Sequence, residues 1–419
     1  MENNAIQTAH QVLITFSVIL VAGALAGKVA DKLKIPDVVL YLLIGIVIGP
    51  PGLGLIDIPE NSVVNQLVLV LGASVLLFHG GIGVSFGVLK NVWLTLLLLS
   101  TVAVFVMVAI VGYTVHAVFG ISLIYALLLG AVLASTDPAT LVPIFLSVGV
   151  KERLAQTVIS ESAFNDATGA IVTFTLLGAI ATGQFALAPT ALKFVIMAGG
   201  GIIIGAIYGL LTGFLVSGKS QDIFAEYSQV LMLPLIIASY MTAEHFGASG
   251  FMSVFVAGLV LGNLDEFGWT MKENHHDEVH SFLHIASLLL RIAIFVLLGA
   301  HVDLAIVAKY LLPASIVVAV FIFIARPIVV LLCTLPDRKA KWEKNEILFM
   351  FWTRETGVIP AALVGMLVGT GIQHSDIISS VTFLAILTTL VLQATSTPWL
   401  ARRLNLLQQD QQEVQQLHH

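Results

Sequence analysis

The chain is built from long apolar stretches that alternate with short polar segments. Thirteen of these stretches are long enough for a membrane-spanning helix, which needs about 17 to 25 mostly apolar residues. They lie approximately at residues 11–27, 37–55, 62–80, 91–118, 121–149, 155–182, 191–216, 226–244, 247–263, 281–300, 304–335, 346–371 and 376–399. The pattern therefore predicts an all-α, polytopic membrane protein with one transmembrane domain over residues 1–419, of which 401–419 form a short tail.

The positions of Lys and Arg predict the orientation of these spans, because cytoplasmic loops carry an excess of basic residues. With the N-terminus outside, fourteen of the 19 Lys and Arg lie on the cytoplasmic side, two lie on the outer side, and three lie inside spans. Those three are Arg291, Arg326 and Arg354. We therefore expect thirteen spans, an outer N-terminus and a cytoplasmic C-terminus.

Composition narrows the class of function. Hydrophobic residues make up 58% of the chain and charged residues 11%, with a mean hydropathy of +0.99, whereas a soluble domain has roughly 25% charged residues. No connecting segment is long enough to fold as a soluble catalytic or regulatory domain. We expect no enzyme activity, no cofactor and no nucleic-acid partner, and the single cysteine, Cys333, excludes an intrachain disulfide.

Two spans are interrupted by polar and helix-breaking residues near the middle of the membrane. The fifth carries STDP at 135–138, and the twelfth carries TRETG at 353–357, followed by Pro360. Proline removes a backbone donor and disfavours helix for the residue before it. Because the two spans are seven apart, they run in opposite directions, which predicts an inverted repeat of spans 1–6 and 8–13 around a linking helix at 191–216. Paired discontinuous helices at the midplane are typical of secondary transporters.

The sixth span contains SESAFNDATGAI at residues 160–171. Ionisable residues inside a membrane are costly and indicate a functional site by default. Ser162 and Asp166 are four residues apart and share one helical face, while Glu161 and Asn165 share the adjacent face. The first face is predicted to hold a dehydrated monovalent cation.

Ligands from the fifth span, Thr136 and Asp137, are expected to complete this cation site. Glu161 and Asn165 are expected to engage Arg354 of the twelfth span, because a buried arginine must be paired. A buried carboxylate binds either a proton or a cation at one time. Competition of the two ions for Asp166 would therefore produce exchange.

These motifs resemble the monovalent cation/proton antiporters, among them NhaP and the mammalian sodium/proton exchangers. The resemblance covers essentially the whole chain. It implies a thirteen-helix fold, a homodimer in membrane lipid, a role in pH homeostasis, and a bacterial-type inner membrane. It also implies an elevator movement of a core (approximately 91–182 and 304–400) against a dimerisation scaffold (approximately 11–80 and 226–300).

The resemblance also assigns roles to single residues. Asp166 resembles the ion-binding acid, and Asn165 before it resembles the electroneutral branch, which exchanges one proton for one cation. The other residues fall into two groups by resemblance. The residues that resemble cation ligands are Thr136, Asp137 and Ser162. Those that resemble a stabilising network are Glu161, Asn165 and Arg354. The transported ions would be H⁺ and Na⁺, with Li⁺ and K⁺ as alternatives.

Some signals leave alternatives open. His79 stands where NhaP-type relatives often have a carboxylate, so it is either a modulatory, proton-sensitive group or a packed histidine. His276, His280 and His284 recur at helical spacing near the start of the tenth span and predict an interfacial cytoplasmic helix, a pH-responsive cluster or a metal site. The rival functions are a sodium-coupled symporter of an organic solute, a K⁺ efflux antiporter and an intramembrane hydrolase.

Overall fold

The structure is a computed structural model that describes residues 2–33, 35–90, 92–136, 145, 148–183, 187–217, 227–269 and 273–408. Within these residues the regular secondary structure is helical, apart from an isolated antiparallel bridge between Val150 and Leu407. The all-helical architecture predicted from the hydrophobic pattern is therefore confirmed.

The helices follow the predicted spans in order. The first half contains α1 (Glu2–Leu33), α2 (Asp37–Ile48), α3 (Val63–Ile82), α4 (Phe86–Leu89), α5 (Trp93–Ser100), α6 (Val102–Phe119), α7 (Leu123–Ala134), α8 (Glu152–Thr182) and α9 (Leu187–Val216). The second half contains α10 (Ser228–His245), α11 (Gly250–Leu261), α12 (Glu273–Ala300), α13 (Leu304–Val320), α14 (Arg326–Thr334), α15 (Lys344–Trp352), α16 (Val358–Gly369), α17 (Ser375–Thr388) and α18 (Thr395–Arg403).

Eight helical segments of the described chain are long and apolar enough to cross a membrane. They are Ala9–Leu33, Val63–Ile82, Trp93–Phe119, Glu152–Thr182, Ala188–Val216, Asp277–Ala300, Leu304–Thr334 and Ser375–Arg403. Four shorter apolar helices, α2, α7, α11 and α16, lie in other predicted spans. These lengths and compositions agree with a multi-pass membrane protein, while the count of thirteen crossings stays a prediction.

Two further segments are π-helical and occur inside long helices. Phe321–Ala325 joins α13 to α14, and Thr389–Ala394 joins α17 to α18. A π turn holds one more residue per hydrogen-bonded loop than an α turn, and such turns are frequent at functional sites. Arg326 directly follows the first π segment, at the start of α14. Thr389 is the first residue of the second π segment.

The helices pack in two groups. Helices α2 and α3 pack against α12 and α11, and α9 lies along α11. In the other group α6 packs on α7, α8 on α7 and α13 on α17. Small residues permit the closest of these approaches: a Cβ added at Gly205 of α9 would lie 2.3 Å from the Ser253 carbonyl oxygen of α11. Gly201 and Gly209, each four residues from Gly205, come similarly close to α11 or to the residue before it, so this row of glycines serves helix packing.

Helix α3 meets α16 where the two groups touch. A Cβ at Gly365 would lie 2.6 Å from Leu69 Cδ1, and one at Gly369 would lie 2.1 Å from Gln66 Nε2. Gln66 Nε2 donates to the Gly365 carbonyl at 3.3 Å and to the Glu60 carbonyl at 2.9 Å. The two groups are thus in close contact where α3 crosses α16.

The segment that follows α18 is attached to the start of α8. Lys151 N donates to Leu406 O at 2.9 Å, and Gln408 N donates to Gly149 O at 2.8 Å. These two bonds flank the Val150–Leu407 bridge. Residues 406–408 are therefore fixed to the helix that carries the acidic motif.

Candidate ion-binding site

One face of α8 is both polar and buried. Glu161, Ser162, Asn165 and Asp166 are each no more than 3% exposed. The helix is continuous through this motif, so the spacing of four residues places the side chains as the sequence predicts. Gly169, one turn further on, brings α8 close to the end of α7.

The predicted interruption of the fifth span begins where α7 ends, at Ala134, and Ser135 has an extended backbone with ψ of 150°. Thr136 N donates to Asp166 Oδ1 at 2.9 Å, and Thr136 Oγ1 donates to Ser162 Oγ at 2.9 Å. Three predicted cation ligands are therefore brought together. The fourth, Asp137, lies outside the described residues.

The second interruption separates α15 from α16 at residues 353–357, all of which are buried. The Thr356 N–H, which has lost a helical partner, donates to Thr389 Oγ1 at 3.1 Å. Thr389 is the first residue of the second π segment. The irregular backbone is thus satisfied by protein groups, as it must be where no water is present.

Arg354 lies inside this second break and reaches the end of α7. Its Nη2 donates to the Ala134 carbonyl at 2.6 Å and to the Leu133 carbonyl at 3.4 Å. Its guanidinium also lies over the Phe321 ring, 5.3 Å from the centroid. A cation at a helix C-terminus stabilises the negative end of the helix dipole, so Arg354 joins the two interrupted spans.

The expected pairing of Glu161 with Arg354 differs from the structure. Glu161 forms a bidentate ion pair with Arg326, in which Nη1 contacts Oε1 and Nη2 lies 3.0 Å from Oε2. The guanidinium of Arg354 instead faces the carbonyls of α7. The reason is local geometry, because the π segment before α14 turns the Arg326 side chain toward α8.

Arg326 also binds the C-terminal end of α15. Its Nε donates to Met350 O at 2.8 Å and its Nη2 to Thr353 O at 3.4 Å. Asn165 Nδ2 adds a longer contact of 3.4 Å to Glu161 Oε1. Each arginine therefore covers the carbonyl end of one interrupted helix, Arg354 that of α7 and Arg326 that of α15.

Sequence reasoning missed the role of Arg326, although a signal was present. An arginine within a membrane span requires a partner inside the bundle, and Arg326 is one of three such residues. The sequence does not say which arginine faces which carboxylate, and the position of Arg354 in the second break favours the wrong one.

Several buried oxygens around these residues have no hydrogen-bond partner within the described part of the chain. They are Ser135 Oγ, Asn165 Oδ1 and Thr356 Oγ1. Hydroxyl and amide oxygens are hard ligands suited to Na⁺ and similar ions. Each of these oxygens can therefore accept a further hydrogen bond or contact an ion.

His79 lies on α3 and packs against α12. Its Nδ1 is 2.9 Å from Ser287 Oγ, and its ring meets the His284 ring edge to face at a centroid distance of 6.5 Å. His79 and His284, the last of the three histidines at helical spacing, thus meet where α3 packs against α12. A modulatory role for His79 stays a prediction.

A buried carboxylate held between interrupted helices of an apolar bundle defines a membrane transport protein of the secondary type. The sequence matches the sodium/hydrogen exchanger transmembrane family over residues 16–403. The chain belongs to this family.

Individual relatives agree with that assignment. The chain is 32% identical to the probable Na⁺/H⁺ antiporter 2 of Methanocaldococcus jannaschii, over 86% of each chain. It is 28% identical to the K⁺/H⁺ antiporter NhaP of Alkalimonas amylolytica, over 94% of this chain and 67% of that protein. The fold is similar to the sodium proton antiporter MjNhaP1 from M. jannaschii, with a TM-score of 0.82, 29% identity, and coverage of 94% of this chain and 99% of the other.

Proposed function

We propose that this protein exchanges a monovalent cation for a proton across the membrane, with Asp166 as the group that both ions share. The observation that carries the proposal is the position of Asp166. Its carboxylate is 3% exposed and accepts the Thr136 N–H at the end of α7. An intramembrane acid at a helix interruption is suited to bind a small ion.

Exchange follows from competition for one carboxylate. A protonated Asp166 has no charge with which to attract a cation, and a cation beside it displaces the proton. The Glu161–Arg326 pair is electrically neutral as a unit, so it can hold the site in shape without taking part in the exchange. One proton for one cation is therefore the stoichiometry we propose, with no net charge moved.

Na⁺ is the cation that we propose first. Relatives from M. jannaschii are named as Na⁺/H⁺ antiporters, whereas the relative from A. amylolytica is named as a K⁺/H⁺ antiporter. Li⁺ and K⁺ therefore stay alternatives. Oxygen ligands accept all three ions, and the selection depends on distances within the loaded site.

Alternating access would come from movement of the α5–α8 and α13–α18 group against the group of α2, α3, α11 and α12. The α3–α16 contact supports a closed boundary at one end of the bundle, since Gln66 bonds across it to Gly365. The proposal includes thirteen spans in an inverted repeat, an elevator movement, a homodimer in lipid, and an outer N-terminus in a bacterial-type inner membrane.

The test uses proteoliposomes loaded with a pH indicator. Wild-type protein is expected to release protons when NaCl, LiCl or KCl is added and not when choline chloride is added. Asp166→Asn should abolish this response while the protein still purifies as a folded species. Asp265→Asn, which makes the same chemical change at an exposed loop residue, is the matched control and should exchange normally. Cation-driven proton release in Asp166→Asn would refute the assignment.

A further inference from the structure

A cavity opens at the end of the bundle that is predicted to face outward, on the boundary between the two helix groups. Its main part has a volume of about 210 Å³ and narrows to a part of about 30 Å³. The two parts share lining residues, and we call them together the boundary cavity. Its polar lining comprises Glu60, Asn65, His301, Asp303, Ser375, Asp376, Ser379 and Ser380.

The boundary cavity has walls from both helix groups. Glu60 and Asn65 lie at the start of α3 and His301 follows α12, while Asp376 and Ser379 belong to α17. A ligand in the cavity would therefore contact both groups at once. It would lie close to Gln66, whose amide already bonds across the same boundary.

The charge of the cavity is negative. Asp303 Oδ1 caps α13 by accepting the N–H groups of Ala305 and Ile306, which leaves its charge in place. Asp376 Oδ2 accepts the Tyr310 hydroxyl at 3.1 Å. The cavity thus holds three carboxylates, Glu60 being the third, and carboxylates in a cleft attract cations.

A second observation points to a bound cation. Asn65 lines the narrow part and is 1% exposed. Its Nδ2 donates to the Glu60 carbonyl at 2.8 Å, whereas its Oδ1 has no donor within the described residues. A buried amide oxygen without a partner is costly, and a volume of about 30 Å³ accepts one ion or one water.

We propose that the boundary cavity binds a monovalent cation, with Asn65 Oδ1 and the Glu60 carboxylate as the first ligands and water completing the shell. Within the described chain, no group of three or more His, Cys, Asp and Glu converges as a metal-binding set. Two protein ligands with water suit a partly hydrated monovalent ion better than Ca²⁺, which takes about 6 to 8 oxygen ligands.

The consequence for transport rests on the proposed exchange function, while the binding itself does not. An ion that touches both walls stabilises the arrangement in which this end of the boundary is closed. Cations on the outer side would then slow the opening of that side, in addition to competing at Asp166. The boundary cavity would act as an outer cation sensor.

Binding is measured in the Asp166→Asn background, so that the exchange site makes no contribution. The purified protein is heated in increasing NaCl, with choline chloride keeping the ionic strength constant. We expect a saturable rise in melting temperature with Na⁺. Adding Glu60→Gln should raise the Na⁺ concentration that gives half of the maximal rise in melting temperature by at least tenfold. Asp57→Asn changes an exposed carboxylate on the same loop, which lines a wider cleft beside the boundary cavity but not the boundary cavity itself, and it should leave that concentration unchanged.

Three results would overturn the proposal. They are the lack of any Na⁺-specific rise in the Asp166→Asn background, an equal effect of Glu60→Gln and Asp57→Asn, and stabilisation by CaCl₂ at concentrations where NaCl has no effect. If Glu60→Gln does not fold, Asp376→Asn removes a carboxylate from the opposite wall and serves the same comparison. Because the binding test uses a transport-inactive variant, its failure is distinct from a failure of exchange in the wild-type protein.

Discussion

Removing one partner of the Glu161–Arg326 pair should harm the protein more than removing both. The perturbations are Glu161→Gln, Arg326→Met and the double variant. Both side chains are at most 2% exposed, so each single replacement leaves a buried charge without its counter-charge. Loss of one member of such a pair costs about 3–5 kcal/mol, whereas replacing the whole pair with neutral groups is often tolerated.

The contacts of Arg326 set the relative size of these effects. Arg326→Met also deprives the Met350 and Thr353 carbonyls of a donor, and an unsatisfied buried group costs about 1–3 kcal/mol. Arg326→Met should therefore be more destabilising than Glu161→Gln. The double variant keeps only the carbonyl cost, so the two single effects should together exceed the double effect by about 6 kcal/mol or more, which is twice the smallest charge cost.

The assay is thermal or denaturant unfolding of the purified variants in detergent, followed by size-exclusion chromatography. A second cycle with Glu161→Gln and Arg354→Met is the matched control. It should give a smaller coupling, because Arg354 donates to the α7 carbonyls. Additive effects of Glu161→Gln and Arg326→Met, or a larger coupling with Arg354, would refute the pairing.

Three other outcomes are expected. Gly169→Ala should reduce exchange, since its Cβ would lie 2.3 Å from Ser135 Oγ; transport at the wild-type rate would mean that α8 need not approach the end of α7. Exchange at Asp166 should reverse at the same cation gradient with and without an imposed voltage, because 100 mV is worth about 2.3 kcal/mol per net charge; a shift would exclude one-for-one exchange. Burial raises the pKa of the Asp337 carboxyl, but hydrogen bonds from Thr95, Ala340 and Lys339 together outweigh this and hold the pKa below its usual range. The stabilisation from ionised Asp337 is therefore complete above pH ~4 and is lost as the pH falls through the folded-state pKa. The melting temperatures of wild type and Asp337→Asn should differ by a constant amount from pH 5 to 7, and this difference should shrink as the pH falls below ~4.

Much of the fold could be predicted because the membrane restricts the choices. Backbone groups in lipid must be satisfied within helices, so long apolar stretches give helices directly, and each predicted span contains one. The interruption at 353–357 and the end of α7 were predicted from proline, glycine and polar residues. The proximity of Ser162 and Asp166 to Thr136 followed from helical spacing and from the two interruptions.

The partner of Glu161 could not be predicted in the same way. Helical periodicity assumes a constant rotation per residue, and the π segment before Arg326 changes that rotation locally. Pro327, directly after Arg326, removes a backbone donor and disturbs the preceding helical turn, but the sequence does not say whether the chain responds with a kink, a break or a π turn. The same limit applies to Gln66, whose bond to Gly365 joins positions that are 299 residues apart.

Because residues 406–408 are attached to the start of α8, a label on them can be used to measure the movement of that helix. A fluorophore attached at the exposed residue Gln408 would travel with α8, because two backbone hydrogen bonds and the Val150–Leu407 bridge hold residues 406–408. A second fluorophore at Asp265, on the exposed turn after α11, would travel with the other helix group. Energy transfer between the two would then report relative displacement of the groups in single molecules, with both labels on exposed residues.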